Sequence, residues 1–205
     1  MLRYTRVAGV LAAVLLSATV LTGTARAAIS PVAVSIIPPA QFPPEAFNIT
    51  GVRASAIWGK HRRVYGFDLA AIGNITTLDM AGIAVAGGFN WNQGTATIVG
   101  IQAAGGANIN GGKTRVVGLQ VAGGVNSNLA EASVIGFQVA ALGNYAPFTK
   151  VYGLQVGLYN RALDVYGLQI GLVNVAQDLH GIQIGLINFN TKGLFAVAPI
   201  LNIGF

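Results

Sequence analysis

Val151-Tyr-Gly-Leu-Gln-Val-Gly-Leu-Tyr-Asn160, Val165-Tyr-Gly-Leu-Gln-Ile-Gly-Leu-Val-Asn174 and Leu179-His-Gly-Ile-Gln-Ile-Gly-Leu-Ile-Asn188 are three copies of one phrase, spaced 14 residues apart. Within each copy the residues alternate. Leu154, Val156 and Leu158 point one way, and Gly153, Gln155 and Gly157 point the other. A period of two with β-branched residues and no helical spacing predicts strand. Working outward, the lead glycine recurs at Gly51, Gly66, Gly82, Gly100, Gly118, Gly136, Gly153, Gly167 and Gly181. Two residues on stands a mostly polar position: Arg53, Asp68, Ala84, Gln102, Gln120, Gln138, Gln155, Gln169 and Gln183. From the second unit each copy closes on Asn, from Asn74 to Asn188. Internal repetition of this kind decides the architecture before any other feature does.

Two architectures bury such units. In a parallel β-solenoid each unit is one coil, giving about ten coils of 14–18 residues. In an up-and-down outer-membrane β-barrel each unit is one of about ten antiparallel strands. For the barrel speak the low charge, a strand length of about 10 residues, Tyr65, Tyr152 and Tyr166 as a girdle, and the terminal Phe205. Three features favour the solenoid. The Gln-to-Asn distance is 6 in earlier units (Gln120 to Asn126) and 5 in the last three full ones (Gln155 to Asn160). One extra residue inside a membrane strand sends every later side chain to the wrong face. At a solenoid corner it only widens the turn, where glycine with positive φ is the expected residue. Unit length also changes smoothly, as stacked neighbours require. Finally, Pro199 falls in the middle of the last supposed membrane strand, where it cannot donate to a ladder. The solenoid also gives the amides a use, because identical Gln and Asn side chains about 4.8 Å apart bond along a ladder. Leu, Ile and Val are then expected to fill the interior.

The flanks complete the organisation. Residues 1–27 read as a cleaved secretory signal: Arg3 and Arg6, an apolar run from Val7 to Leu21, and Ala25-Arg-Ala27 as the cleavage site. Residues 28–48 are a Pro-rich lead and N-terminal cap, 49–192 the nine-unit domain, and 193–205 a degenerate tenth unit and C-terminal cap. In that tail Asn202 lies 14 after Asn188. Terminal repeats are expected to be atypical.

The 205 residues are 53% hydrophobic and 9% charged, with 28 glycines and no cysteine. Disorder, disulfides, thiolate sites and lipid attachment to cysteine are excluded. Net charge is +6; taking Arg3, Arg6 and Arg26 from the twelve basic residues leaves nine against six acids, or +3. This balance does not suit a nucleic-acid binder. The Lys60-His-Arg-Arg63 cluster is expected to be a solvated loop between repeats.

The Gly-Leu-Gln-Ile-Gly-Leu-Ile-Asn units, the lead Ser35-Ile-Ile-Pro-Pro39 and the closing Pro199-Ile-Leu-Asn-Ile-Gly-Phe205 resemble a bacterial family of surface repeat-containing proteins, many of them lipoprotein-like. The resemblance covers nearly the whole chain after its leader. It implies an exported, envelope-associated repeat protein and carries over no catalytic residue. The chain departs from the lipoprotein pattern in having no cysteine.

No catalytic, cofactor-binding or metal-binding residues are assigned. Asp164 and Asp178, 14 apart, stack one coil apart and offer at most a weak Ca²⁺ pair; solvated turn residues are the expected reading. His61 and His180 lie about eight units apart, and His180 takes the position of Tyr152 and Tyr166 in a stacked column. Gly112-Lys-Thr114 has the ending of a phosphate loop, but Ala107 stands where that motif needs glycine. The function expected is a non-enzymatic structural or interaction scaffold of the envelope. It would offer polar ladders and the loops Asn108–Arg115 and Asn126–Ser133 to a protein or envelope partner. A small outer-membrane barrel, acting as a pore, is the alternative, and membrane association stays open. No nucleic-acid or small-molecule partner is indicated.

Overall fold

A computed structural model describes residues 28–205; the signal-peptide reading of residues 1–27 falls outside the described residues. The described chain is all-β, and its sixteen strands form one continuous wound sheet. Matching segments of successive units pair in parallel and in register. Ala132–Ala140 lies on Thr114–Ala122 with Gly136 opposite Gly118 and Gln138 opposite Gln120, and the Tyr159–Ile170 strand lies likewise on Gly143–Val156. The fold is therefore a β-solenoid of about ten coils. Parallel pairing overturns the barrel alternative, whose neighbouring strands run antiparallel.

A typical coil has a long segment carrying the lead glycine and Gln, a turn that is glycine-rich in most coils, and a short segment carrying Asn. Thr114–Ala122, Gly123-Gly124 and Val125–Asn128 show the arrangement. A second turn leads back to the next long segment. That second turn absorbs most of the change in coil length: Pro147–Thr149 in one coil face the single residue Leu163 in the next. The glycine turn absorbs the one-residue difference between Gly123-Gly124 and Gly157, as the insertion argument requires.

The positive φ is elsewhere than expected. It belongs to the lead glycines inside the long segments, for example Gly153 (134°) and Gly167 (140°), and not to the turn glycines. A Cβ on Gly167 would strike the carbonyl oxygen of Gly153 in the coil beneath. The turn glycines meet the same obstacle without the positive φ: a Cβ on Gly171 would strike the carbonyl oxygen of Gly157 in the coil beneath and press on the side-chain amides of Asn160 and Asn174.

Both ends differ from the expected caps. The Pro-rich lead supplies a coil strand of its own, Ile29–Ile37, parallel to Asn48–Ser55, with Ala40–Phe42 folded back on it as a hairpin. At the other end Val197–Gly204 runs antiparallel to Asp178–Asn190, which sets Asn202 opposite Gln183 and not on Asn188. The tail is a reversed edge strand, not a tenth parallel coil. Pro199 is tolerated there because an edge leaves one side of the ladder unused.

The interior departs most from expectation. Two apolar clusters lie in it, Ile49 and Val64 with Ala33 in one and Met80, Ile98, Val116, Val134, Val151, Val165 and Leu179 with several alanines in the other, all buried. Beside them, every ladder Gln and Asn is buried. The residues flanking each Gln point outward instead: Phe137, Ile182 and Ile184 are exposed. Of the two faces in the period-two pattern, the amide face is the inner one.

Candidate functional site

The inner amides form two ladders of opposite polarity. From Gln120 to Gln183 each Nε2 donates to the Oε1 of the preceding coil's Gln, at 2.5–2.8 Å. From Asn74 to Asn174 each Nδ2 donates to the Oδ1 of the following coil's Asn, at 2.8–2.9 Å. The second Asn hydrogen goes to a backbone carbonyl of the next coil, such as Asn126 to Val139 at 2.8 Å. A shorter third ladder joins Asn92, Asn110 and Asn128. Burying an amide is costly unless its bonds are made. Here the neighbouring coil makes them, so amides serve as core.

The ladder ends are closed by the reversed strand. Asn202 Nδ2 donates to Gln183 Oε1 (3.2 Å), and the carbonyl of Ala198 accepts from Asn188 Nδ2 (3.2 Å). At the other end Gly59 stands opposite Asn74. With no side chain at that rung, Asn74 Oδ1 is left buried without a donor.

In the first coils Arg53 and Asp68 replace Gln in the same inner column. They form a buried bidentate pair, Nε to Oδ1 at 2.6 Å and Nη2 to Oδ2 at 2.5 Å. Arg53 also donates to the Ile75 carbonyl (2.9 Å). Beside it, His61 faces the Pro43 carbonyl at 3.1 Å through Nε2 and Arg53 Nη1 at 3.5 Å through Nδ1. A neutral ring with its proton on Nε2 satisfies both contacts. Burial, and then the Arg53 charge, lower the His61 pKa from 6.5 to about 4. The Lys60–Arg63 stretch is thus a strand and not a solvated loop. His61 is fully buried, while Lys60 pairs with Glu45 (2.9 Å) and Arg63 with Asp79 (2.6 Å).

Among the described residues most charge outside the core gathers at one turn of the coil, with Lys60 and Arg161 on the short segments leading to it. The pairs Arg63–Asp79, Lys113–Glu131 (3.3 Å), Lys150–Asp164 (3.3 Å) and Lys192–Asp178 (3.7 Å) each bridge neighbouring coils at the second turn. Asp164 and Asp178 do stack in register, yet each carboxylate faces a cation of the protein. Among the described residues no group of three or more His, Cys, Asp or Glu is placed to hold a metal ion. Gly112 and Lys113 lie in the loop before the next strand. This turn also borders a shallow groove of about 490 Å³ near Thr97, Arg115, Lys150 and Phe148. The loops expected at Asn108–Arg115 and Asn126–Ser133 shrink to Gly111–Lys113 and Leu129–Glu131. Asn108, Asn110, Asn126 and Asn128 are buried in the ladders. The polar ladders therefore cannot be offered to a partner.

The opposite side is apolar. Between lead glycine and ladder Asn the nine units hold only two charged residues, Arg53 and Asp68, and both are buried. On the outer wall Tyr152, Tyr166 and His180 stack in one column, with ring centroids 4.9 and 4.6 Å apart. This is the column expected for His180; Tyr65 pairs with Ala81 several coils away and joins no girdle.

Fold and surface together define a class: an end-capped β-solenoid repeat protein with an amide-laddered core and an amphipathic exterior. Comparison with protein-family models, curated proteins and solved structures finds no match for this chain.

Proposed function

We propose that the protein is an exported, non-catalytic scaffold of the bacterial envelope that works through its outer surface. The observation that carries this reading is the division of labour around the coil. The ladder amides, Arg53–Asp68 and the ion pairs between coils take up most of the polar side chains that could do chemistry. Among the described residues the apolar wall has no partner. Monomeric soluble proteins rarely carry large contiguous apolar patches unless something docks there. The leader motif and the likeness of the repeats to surface repeat-containing proteins support a position for that surface outside the inner membrane. The test is fractionation of cells expressing the full chain, with mass spectrometry of the recovered protein. The expected form starts at Ala28 and sediments with the envelope. An intact Met1 form in the cytoplasm overturns the proposal.

A further inference from the structure

The apolar wall has a crest. On the glycine turn, Leu142, Leu158, Leu172 and Leu186 stack coil upon coil, as the bonds from Leu172 N to the Leu158 carbonyl (2.9 Å) and from Ile187 N to the Leu172 carbonyl (3.0 Å) show. The reversed strand sets Ile200 opposite Gly185, at the end of this row. These five side chains are 60, 51, 54, 65 and 71% exposed. Exposure falls to either side of them. It is 37 and 44% at Ile170 and Ile184 on the long segment, and 36 and 40% at Tyr159 and Ile187 on the short one. The row is a convex aliphatic ridge, about 19 Å long at 4.8 Å per coil.

Beyond the aliphatic band come aromatic side chains with polar tips. Tyr152 and Tyr166 border it on one side, Tyr145 and Tyr159 on the other, and all four are partly exposed. The inter-coil ion pairs lie at the far turn. Arg161 lies over the Tyr145 ring, 5.8 Å from its centroid, so aliphatic crest, tyrosine flanks with an arginine, and ion pairs beyond are the order met on passing from acyl chains through the headgroup layer into water.

We infer that the Leu142–Ile200 ridge docks in the surface of a phospholipid bilayer, with the solenoid axis parallel to the membrane plane. This deepens the proposed envelope role and rests on it. Shape argues against a second copy. Two convex ridges touch along a line one side chain wide, far short of the roughly 800 Å² per partner of a stable interface. Fluid acyl chains close around a crest without needing a complementary groove.

The absence of cysteine allows a position-resolved test on the full chain. Leu172→Cys on the ridge and Lys113→Cys on the far turn are each labelled with an environment-sensitive fluorophore. Vesicles of phosphatidylethanolamine and phosphatidylglycerol are then added; Leu158→Cys replaces Leu172→Cys if that variant misfolds. On the ridge the emission should shift to the blue and rise at least about twofold, while the far-turn label stays unchanged. Adding L142E and L186E should cut vesicle binding at least about tenfold, since a carboxylate is strongly disfavoured among acyl chains. An unresponsive ridge label overturns the inference, as do equal responses from both labels. So does a ridge response that grows with protein concentration in the absence of vesicles, which would assign the ridge to a second copy. Because the vesicles are synthetic, docking is read independently of where a cell delivers the protein, so an envelope location with no docking refutes the ridge alone.

Discussion

Cutting the Gln ladder tests whether amides form the core. Gln155 and Gln169 are fully buried, and their side chains bond only within the ladder. Gln155→Met keeps the length of the side chain and removes two bonds, one to Gln138 (2.7 Å) and one from Gln169 (2.5 Å). It leaves two stranded groups, Gln138 Oε1 and Gln169 Nε2. At about 1–3 kcal/mol for each stranded group, the loss is about 4 kcal/mol. Gln169→Met strands Gln155 Oε1, but Gln183 Nε2 keeps the Phe189 carbonyl at 3.1 Å, so about 3 kcal/mol is expected. The double variant is the sharper case. A gap of two rungs still has only two ends, Gln138 Oε1 and Gln183 Nε2. The double loss should therefore be about 3 kcal/mol, no larger than that of Gln155→Met alone, where independent lesions would sum to about 7 kcal/mol. Urea unfolding of the four proteins measures this, with a constant m-value confirming that the same surface is exposed. Additive losses, or a single-variant loss below about 1 kcal/mol, would show that the amides are not acting as one chain.

Other perturbations address the backbone and the buried charges. Gly167→Ala combines an unfavourable φ of 140° with a Cβ driven into the Gly153 carbonyl. It should cost about 3 kcal/mol or more, seen as a lowered urea midpoint. Deleting Gly124 should be mild by comparison, under about 2 kcal/mol in the same assay, because later coils already turn through Gly157 alone. His61 binds its proton less readily when folded than when unfolded, so its contribution is complete above pH 6.5 and is lost as pH falls towards 4. Arg53 opposes its protonation and Glu45 favours it. Allowing for screening, about 1 kcal/mol should disappear between pH 7 and pH 5, and His61→Gln should flatten that part of the pH–stability curve.

Much of this molecule is legible in its residues. The 14–18-residue period, the strand alternation and the one-residue insertion at Gly123-Gly124 led to stacked parallel coils, and the matched positions of Gln and Asn led to amide ladders. His180 was placed in the Tyr152–Tyr166 column by spacing alone. The ridge is also visible in part, as Leu directly after Gly157, Gly171 and Gly185, but the preference for burying Leu assigns it to the interior.

What the chain alone determined is therefore the repeat, its register and its pairing partners, because those depend on spacing, and spacing is one-dimensional. Which face of the strand turns inward is not a matter of spacing. A period of two defines two faces and labels neither. The usual preference for burying Leu and Ile chose the wrong one, because stacked Gln and Asn satisfy each other once the neighbouring coil is in place. The same holds for the last strand: Asn202 keeps the repeat distance from Asn188, yet it reverses onto Gln183 because only an antiparallel edge closes both ladders at once. Those two decisions, made in three dimensions by hydrogen bonds between coils, turned the hydrophobic residues outward and raised the ridge from Leu142 to Ile200.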